Sequence, residues 1–297
     1  MEGCTLCPRQ CGVDRAKQKG YCGMGKAVRI ARADLHFWEE PCISGENGSG
    51  AVFFSGCHLR CIFCQNYEIS ACKKGKDISV GELAEIFLQL QKKGAENINL
   101  VTPTHFVPQI ITALDIAKAK GLALPVVYNC GGYESVETIK MLEGYVDVYL
   151  PDFKYFNNRY AKEYSHAPDY FPVAVRAIAE MFAQTGPLRF DEKGRLRKGV
   201  LVRHLMLPGL LFDSKKILDY LSDTYGNQIQ ISLMRQYTPL AQVSKHPKLG
   251  RKLPDGHYDT LVDYADSLGL YNVYVQDEDS VGEEFIPPFE GEEESHE

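Results

Sequence analysis

The sequence predicts an α/β protein, a partial (β/α)6 barrel preceded by an N-terminal cysteine-rich module. Three observations carry this expectation. From Ala51 onward, short apolar, β-branched or aromatic runs alternate about six times with amphipathic stretches, the pattern of a parallel sheet with right-handed crossovers. Residues 1–50 are instead rich in Cys, Gly and charge and show no long helical period. Three cysteines follow directly on the first apolar run, in the kind of loop that a barrel presents on its catalytic face. Alternation alone does not separate a barrel from an open doubly wound sheet; the cysteine motif described below favours the barrel.

The elements follow in order. AVFFS (51–55) reads as a short buried strand. In the stretch 78–94, Leu83, Ile86, Phe87 and Leu90 recur at helical spacing, and Gly94 is a stop. NINLV (97–101) is a strand, and 108–121 is a helix with Pro108 at its start and Gly121 after its end. LPVVYN (124–129), VDVYL (146–150), VLVRHLML (200–207), IQISLM (229–234) and NVYVQD (272–277) are the further strands. Between them lie helices at 135–144, 170–186, 213–226 (with Asp213 as N-cap) and 257–269, and a charged hairpin or loop at 189–199. The expected division is a cysteine-rich metal-binding module over 1–50, a barrel over 51–280 and a solvated acidic tail over 281–297. Seven of the last fifteen residues are glutamates.

With 33 Lys and Arg against 39 Asp and Glu, the net charge of −6 speaks against a nucleic-acid binder. No apolar run approaches the ~20 residues of a membrane span, and the first residues lack the apolar core of a secretory signal. The expectation is a cytoplasmic protein. In a reducing compartment, the ten cysteines then point to metal binding or chemistry rather than to disulfides.

SGCHLRCIFCQNYE (55–68) carries the chemistry. Cys57, Cys61 and Cys64 are spaced C-x3-C-x2-C. Structural zinc takes four ligands, and an iron–sulfur cubane is held by thiolates, usually four. Three thiolates leave one iron open, and an open coordination position marks a catalytic metal. A closed zinc knuckle with Cys72 or His58 as fourth ligand is the competing reading.

With Phe63 just before the last cysteine, this run resembles the motif of the radical S-adenosylmethionine (SAM) superfamily. The resemblance implies a [4Fe-4S] cluster whose unique iron chelates the amino and carboxylate groups of SAM. It implies reductive cleavage to a 5′-deoxyadenosyl radical that abstracts a hydrogen atom. It also implies a reducing donor such as flavodoxin or ferredoxin. More of the chain is similar to one branch, the pyruvate formate-lyase activating enzymes. Cys64-Gln65-Asn66 resembles their Cys-His-Asn run, VDVYLPDFK (146–154) their strand ending in Asp-x-Lys, and VRHLMLPG (202–209) their strand ending in Val-Pro-Gly. CTLCPRQCGVDR…GYCG resembles an activating-enzyme-like sub-family. Phe63, Gln65, Asn66, Thr102, Asn129, Asp152, Lys154 and Arg203 are the cofactor-binding candidates, and a glycyl-radical enzyme is one candidate substrate.

The chain departs from that branch at three places. Thr102-Pro103-Thr104-His105 stands where the branch has Gly-Gly-Glu, Tyr128-Asn129-Cys130-Gly131 stands where it has Asp-Thr-Asn-Gly and so lacks the carboxylate, and MRQYTP (234–239) lacks its histidine. Outside the radical reading stands a non-catalytic metal-binding or redox-sensing protein with two closed cysteine sites, or an electron-transfer protein. A barrel-sized remainder argues against both.

Cys4, Cys7, Cys11 and Cys22 give C-x2-C-x3-C-x10-C, which suits a structural zinc or a second iron–sulfur cluster. Arg203 lies within an apolar strand and needs an anion. His105 is either a general acid–base or a structural histidine. The tyrosine-rich stretch 155–171 is either a lid or substrate wall over the barrel mouth or an insertion packed outside.

Overall fold

The computed structural model describes residues 3–71, 74–254 and 256–277. Its strands are β1 Val28–His36, β2 Ser49–Phe54, β3 Lys76–Ile78, β4 Ile98–Val101, β5 Val126–Cys130, β6 Val148–Pro151, β7 Arg189–Phe190, β8 Leu196–Leu205, β9 Gln230–Met234 and β10 Val273–Val275. Its helices are α1 Pro41–Ser44, α2 Tyr67–Ser70, α3 Val80–Lys92, α4 Val107–Ala119, α5 Val136–Met141, α6 Asn158–Ser165, α7 Tyr170–Thr185, α8 Leu211–Tyr225 and α9 His257–Ser267.

The strands β2, β4, β5, β6, β8, β9 and β10 are parallel neighbours in chain order. A doubly wound sheet would reverse direction at a switch point; this one never does. The path ends at β10 on one side and at β3 on the other, so the barrel is partial and open. β2, β4, β5 and β6 are buried along their whole length, as strands covered on both faces must be. Leu83, Phe87 and Leu90 of α3 and Ile110, Ala113 and Leu114 of α4 face the core. Ser79 closes a capping box with Glu82 at the start of α3.

The expected hairpin at 189–199 is present, since β7 pairs antiparallel with β8. Two expectations are corrected. The boundary at residue 50 does not separate the terminal segment from the sheet. β1 pairs antiparallel with both β2 and β3 and extends the sheet on that side. Asp213 is not an N-cap; Leu210 holds that position, and the Asp213 carboxylate accepts the backbone N–H groups of Phe156 and Asn157. Among the described residues no helix is long and apolar enough to cross a membrane. The acidic tail and Cys72 lie outside the described residues.

Candidate functional site

The loop after β2 turns on Gly56, with φ +85°. A Cβ there would lie 2.6 Å from Met24 Cγ and 2.8 Å from the Cys22 carbonyl oxygen. The N-terminal segment therefore packs directly against this loop. Arg9 fastens it, donating from Nε to the His58 carbonyl (2.8 Å) and from Nη2 to the Ser165 carbonyl (3.2 Å). On the other side, Ile62 N donates to the Tyr164 carbonyl, and Ser165 Oγ donates to Cys61 Sγ at 2.9 Å. Tyr155, Tyr164 and Tyr170 are fully buried. The stretch 155–171 lines no part of the cavity described next and packs behind the cysteine loop, so it is not a lid.

A cavity of about 370 Å³ opens at the C-terminal ends of the parallel strands. Cys57, Cys61 and Cys64 line it, together with Phe63, Gln65, Asn66, Thr102, Asn129, Asp152, Lys154 and Arg203. The structure thus brings every residue singled out around the cysteine triad to one wall system. Each has a local reason for its place. Gln65 Nε2 donates to the Gln236 carbonyl. Phe63 packs against Tyr237, with ring centroids 6.3 Å apart. Thr102 sits at φ +59° and donates its N–H to the Asn129 carbonyl. A β-branched residue in this region is strained, and such strain gathers at functional sites.

Charges run across the cavity as a chain. Lys154 Nζ donates to Asp152 Oδ2 at 2.5 Å. Arg203 Nε lies 3.4 Å from Asp152 Oδ1, and Arg203 Nη1 donates to Glu39 Oε2 at 2.9 Å. Burial works against the Asp152 carboxylate, yet Lys154 and Arg203 hold it below its ordinary value. Burial likewise opposes the Lys154 ammonium, but Asp152 and Cys61 hold it above its ordinary value. Burial raises the Cys57 thiol, pushes Cys61 to about 11 and pushes Cys64 to about 12, the last two reinforced by the neighbouring cysteines.

Glu39 and Glu40 also line this cavity, and sequence reasoning missed them. Trp38-Glu39-Glu40-Pro41 carries no spacing that marks a site. Its only signal is a pair of acids between two hydrophobic segments.

His105 does not line the cavity. It is buried, its Nε2 pairs with the Ser55 carbonyl, and burial lowers it to about 3, so it is a structural histidine. Cys130 does line the cavity, buried beside Glu134. Glu134 accepts from Thr104 and Tyr128, and burial raises it to about 8. His204 does not line the cavity. Its Nδ1 donates to the Phe153 carbonyl (2.7 Å) and its Nε2 accepts from Ser214 Oγ (2.8 Å).

Burial holds His204 at about 4 instead of 6.5, so the native protein excludes a proton that the unfolded chain binds. The stability this contributes is present above pH 6.5 and is lost as pH falls toward 4, on the order of 3 kcal/mol. Glu134 acts with the opposite sign between pH 4.5 and 8. The comparison with His204→Gln isolates the histidine. In urea titrations the variant loses less stability than the wild type between pH 6.5 and 4; parallel curves would refute this.

The four N-terminal cysteines form a separate group outside the cavity lining. Cys11 and Cys22 sulfurs both flank Gly20, and Cys4 interacts with both Cys11 and Cys22. Burial pushes Cys7 to about 12, with Cys22 and Cys4 adding to the rise. Among the described residues no three Cys, His, Asp or Glu side chains are drawn into a metal-coordination shell, and this holds for the cavity triad as for the terminal four. Neither site is therefore assigned on coordination geometry.

Comparison with known proteins places this architecture. Residues 51–221 match the radical SAM superfamily. The chain is 29% identical over 284 residues to an uncharacterized protein of Methanocaldococcus jannaschii, covering 92% of this chain and 77% of that one. Among solved structures it is similar to the FeFe-hydrogenase maturase HydG from Carboxydothermus hydrogenoformans, with a TM-score of 0.52 and 15% identity over 74% of this chain and 50% of that one. It is also similar to anSMEcpe with bound AdoMet, with a TM-score of 0.50 and 14% identity over 75% of this chain and 61% of that one. At these identities the two structures speak to the fold alone. The chain spans about half the length of the solved structures it matches first. It belongs to the radical SAM superfamily, and that membership implies a [4Fe-4S] cluster and SAM.

Proposed function

We propose that this chain cleaves SAM reductively at a [4Fe-4S] cluster held by Cys57, Cys61 and Cys64, for hydrogen-atom abstraction from a substrate in the same cavity. The observation that carries the reading is one cavity joining three thiols to the Lys154–Asp152–Arg203 chain of charge. The donor set fits the group, since three soft thiolates suit iron–sulfur chemistry and leave one iron open. When bound, cluster and cofactor supply a 5′-deoxyadenosyl radical. The protein's own part is positioning and shielding. Ser165 fixes the Cys61 sulfur by its hydrogen bond. Lys154 places a positive charge beside the thiolates of Cys61 and Cys64. Asp152, held ionised, and Asn129 offer acceptors to the hydroxyl and ammonium groups of the cofactor. Gln65, Asn66, Phe63 and Thr102 complete the wall.

A reducing donor of the flavodoxin or ferredoxin kind supplies the electron. Activation of a glycyl-radical enzyme is the finer reading, supported by the Asp152-x-Lys154 pattern and the cysteine-rich terminus. The four terminal cysteines hold a second metal, zinc or iron, in this reading.

The test is anaerobic. Protein reconstituted with iron and sulfide is reduced and its EPR spectrum recorded with and without SAM, then 5′-deoxyadenosine is assayed. A SAM-dependent spectral change with 5′-deoxyadenosine is expected; neither, with an intact cluster, removes the reading. Deuterium passing from a labelled partner glycine into 5′-deoxyadenosine identifies a glycyl-radical substrate. SAM cleavage without that transfer removes it.

A further inference from the structure

The two glutamates at the far end of the charge chain are not equivalent. Glu39 is satisfied: Oε1 accepts from Asn99 Nδ2 at 2.9 Å and from Asn129 Nδ2 at 3.3 Å, and Oε2 accepts from Arg203. Glu40 is only 9% exposed, lines the same cavity, and its Oε2 is closed off from solvent with no hydrogen-bond partner. A buried carboxylate oxygen left without a donor is costly. It is retained where something else supplies the donor.

The surroundings say what kind of donor. Arg203 on β8 and the Ser232 hydroxyl on β9 both favour the ionised form of Glu40, while Glu39 opposes it. Three carboxyl groups, Glu39, Glu40 and Asp152, share the cavity with two cations, Arg203 and Lys154. Burial, with Glu39 beside it, raises Glu40 above the usual carboxylate range against the pull of Arg203, and a further cation beside it favours its ionised form. His36 also lines the cavity, but burial, Arg32 and Arg203 lower it to about 4, so it adds no positive charge at neutral pH. The pair comes from the segment between β1 and α1, ahead of residues 51–221 that match the superfamily. Ser232 lies beyond the same match. Glu39, Glu40 and Ser232 thus bring parts of the chain outside the shared core to this end of the cavity, where substrate selection is expected to reside.

We propose that Glu40 receives a cationic nitrogen of the substrate, an amine or guanidinium group. The cation pairs with the Glu40 carboxyl group, whose Oε2 has no hydrogen-bond partner, and leaves the remainder of the substrate extending toward the cysteines. This rests on the reading of the cavity as the active site, and it adds the substrate's chemical class to that reading.

Calorimetric titration of the full chain with n-pentylammonium tests it, with pentan-1-ol as the uncharged probe of the same length. Saturable binding of the cation by the wild type is expected, with no binding of the alcohol. Glu40→Gln weakens the cation by at least about tenfold, while the same change at the exposed Glu137 leaves it unaltered. Equal affinity in Glu40→Gln, no binding by the wild type, or equal binding of the alcohol each overturns the proposal. Near-UV circular dichroism reports whether Glu40→Gln folds. Where it does not, Glu40→Asp, which keeps the charge but draws it back, takes its place, and unchanged affinity there overturns the proposal as well. Failure here and failure of the radical reading are distinguishable. Wild type that forms 5′-deoxyadenosine yet ignores n-pentylammonium keeps the reaction and loses the cation site. Wild type that binds the cation but never cleaves SAM does the reverse.

Discussion

Alanine at Cys61 is expected to bring 5′-deoxyadenosine formation to background, a drop of at least about a thousandfold, or about 4 kcal/mol of barrier. The argument is one of valence. A cubane with an open iron already relies on three protein thiolates, so removing one leaves too few to hold it. Cys61 is the buried member of the triad, and Ser165 Oγ donates to its sulfur. Iron content should fall in parallel with activity, and Cys57→Ala and Cys64→Ala should behave alike. Cys42 provides the contrast. It is buried with Ile43, Val148 and Leu150, away from the cavity lining. Cys42→Ala should keep its iron and its 5′-deoxyadenosine. Iron analysis and chromatography of the product decide the matter. A Cys61→Ala protein with full iron and normal turnover would sink the assignment of the triad.

Arg203→Ala should destabilise the fold by about 3–5 kcal/mol, the usual cost of removing one partner from a buried ion pair. The reason is electrostatic rather than steric. Arg203 stands between Glu39, Glu40 and Asp152, and these anions hold its guanidinium above its ordinary value against the effect of burial. Without it, two or three carboxylates share a cavity with Lys154 as their cation. Glu39→Gln alone should cost less, because Asn99 and Asn129 still bond the neutral side chain. In the double variant the two losses should not add, since removing Glu39 relieves part of the repulsion. Urea midpoints of the four proteins measure this coupling. A loss below about 1 kcal/mol for Arg203→Ala would show that solvent screens the network as it does at a surface.

Local signals account for what was readable along the chain. The helices α3 and α4 announce themselves by apolar residues three and four apart, because one face of each covers the sheet. The cysteine triad is legible because all its members fall within eight residues of one loop. β1 was missed for a physical reason. Val28, Ile30 and Ala31 are buried, but Arg29 interrupts them, an irregularity between Ile30 and Arg32 breaks the alternation, and the half-buried residues that follow include Arg32 and Asp34. Asp213 was misread for a similar reason. Its position near a helix start suggests a cap, whereas its acceptors are spent on backbone groups 56 and 57 residues away.

By itself, the sequence determined the alternation of strands and helices, the sulfur donors and the polar residues at the strand ends, because each is written in neighbouring residues. Only the tertiary structure decided that β1 extends the sheet beside β2, that the terminal segment packs on the cysteine loop, and that Glu39 and Glu40 enter the cavity to meet Arg203 from 164 positions away in the case of Glu39. Pairing of buried charges depends on distance in space. A chain carries no local mark of which distant carboxylate will be enclosed with which distant guanidinium.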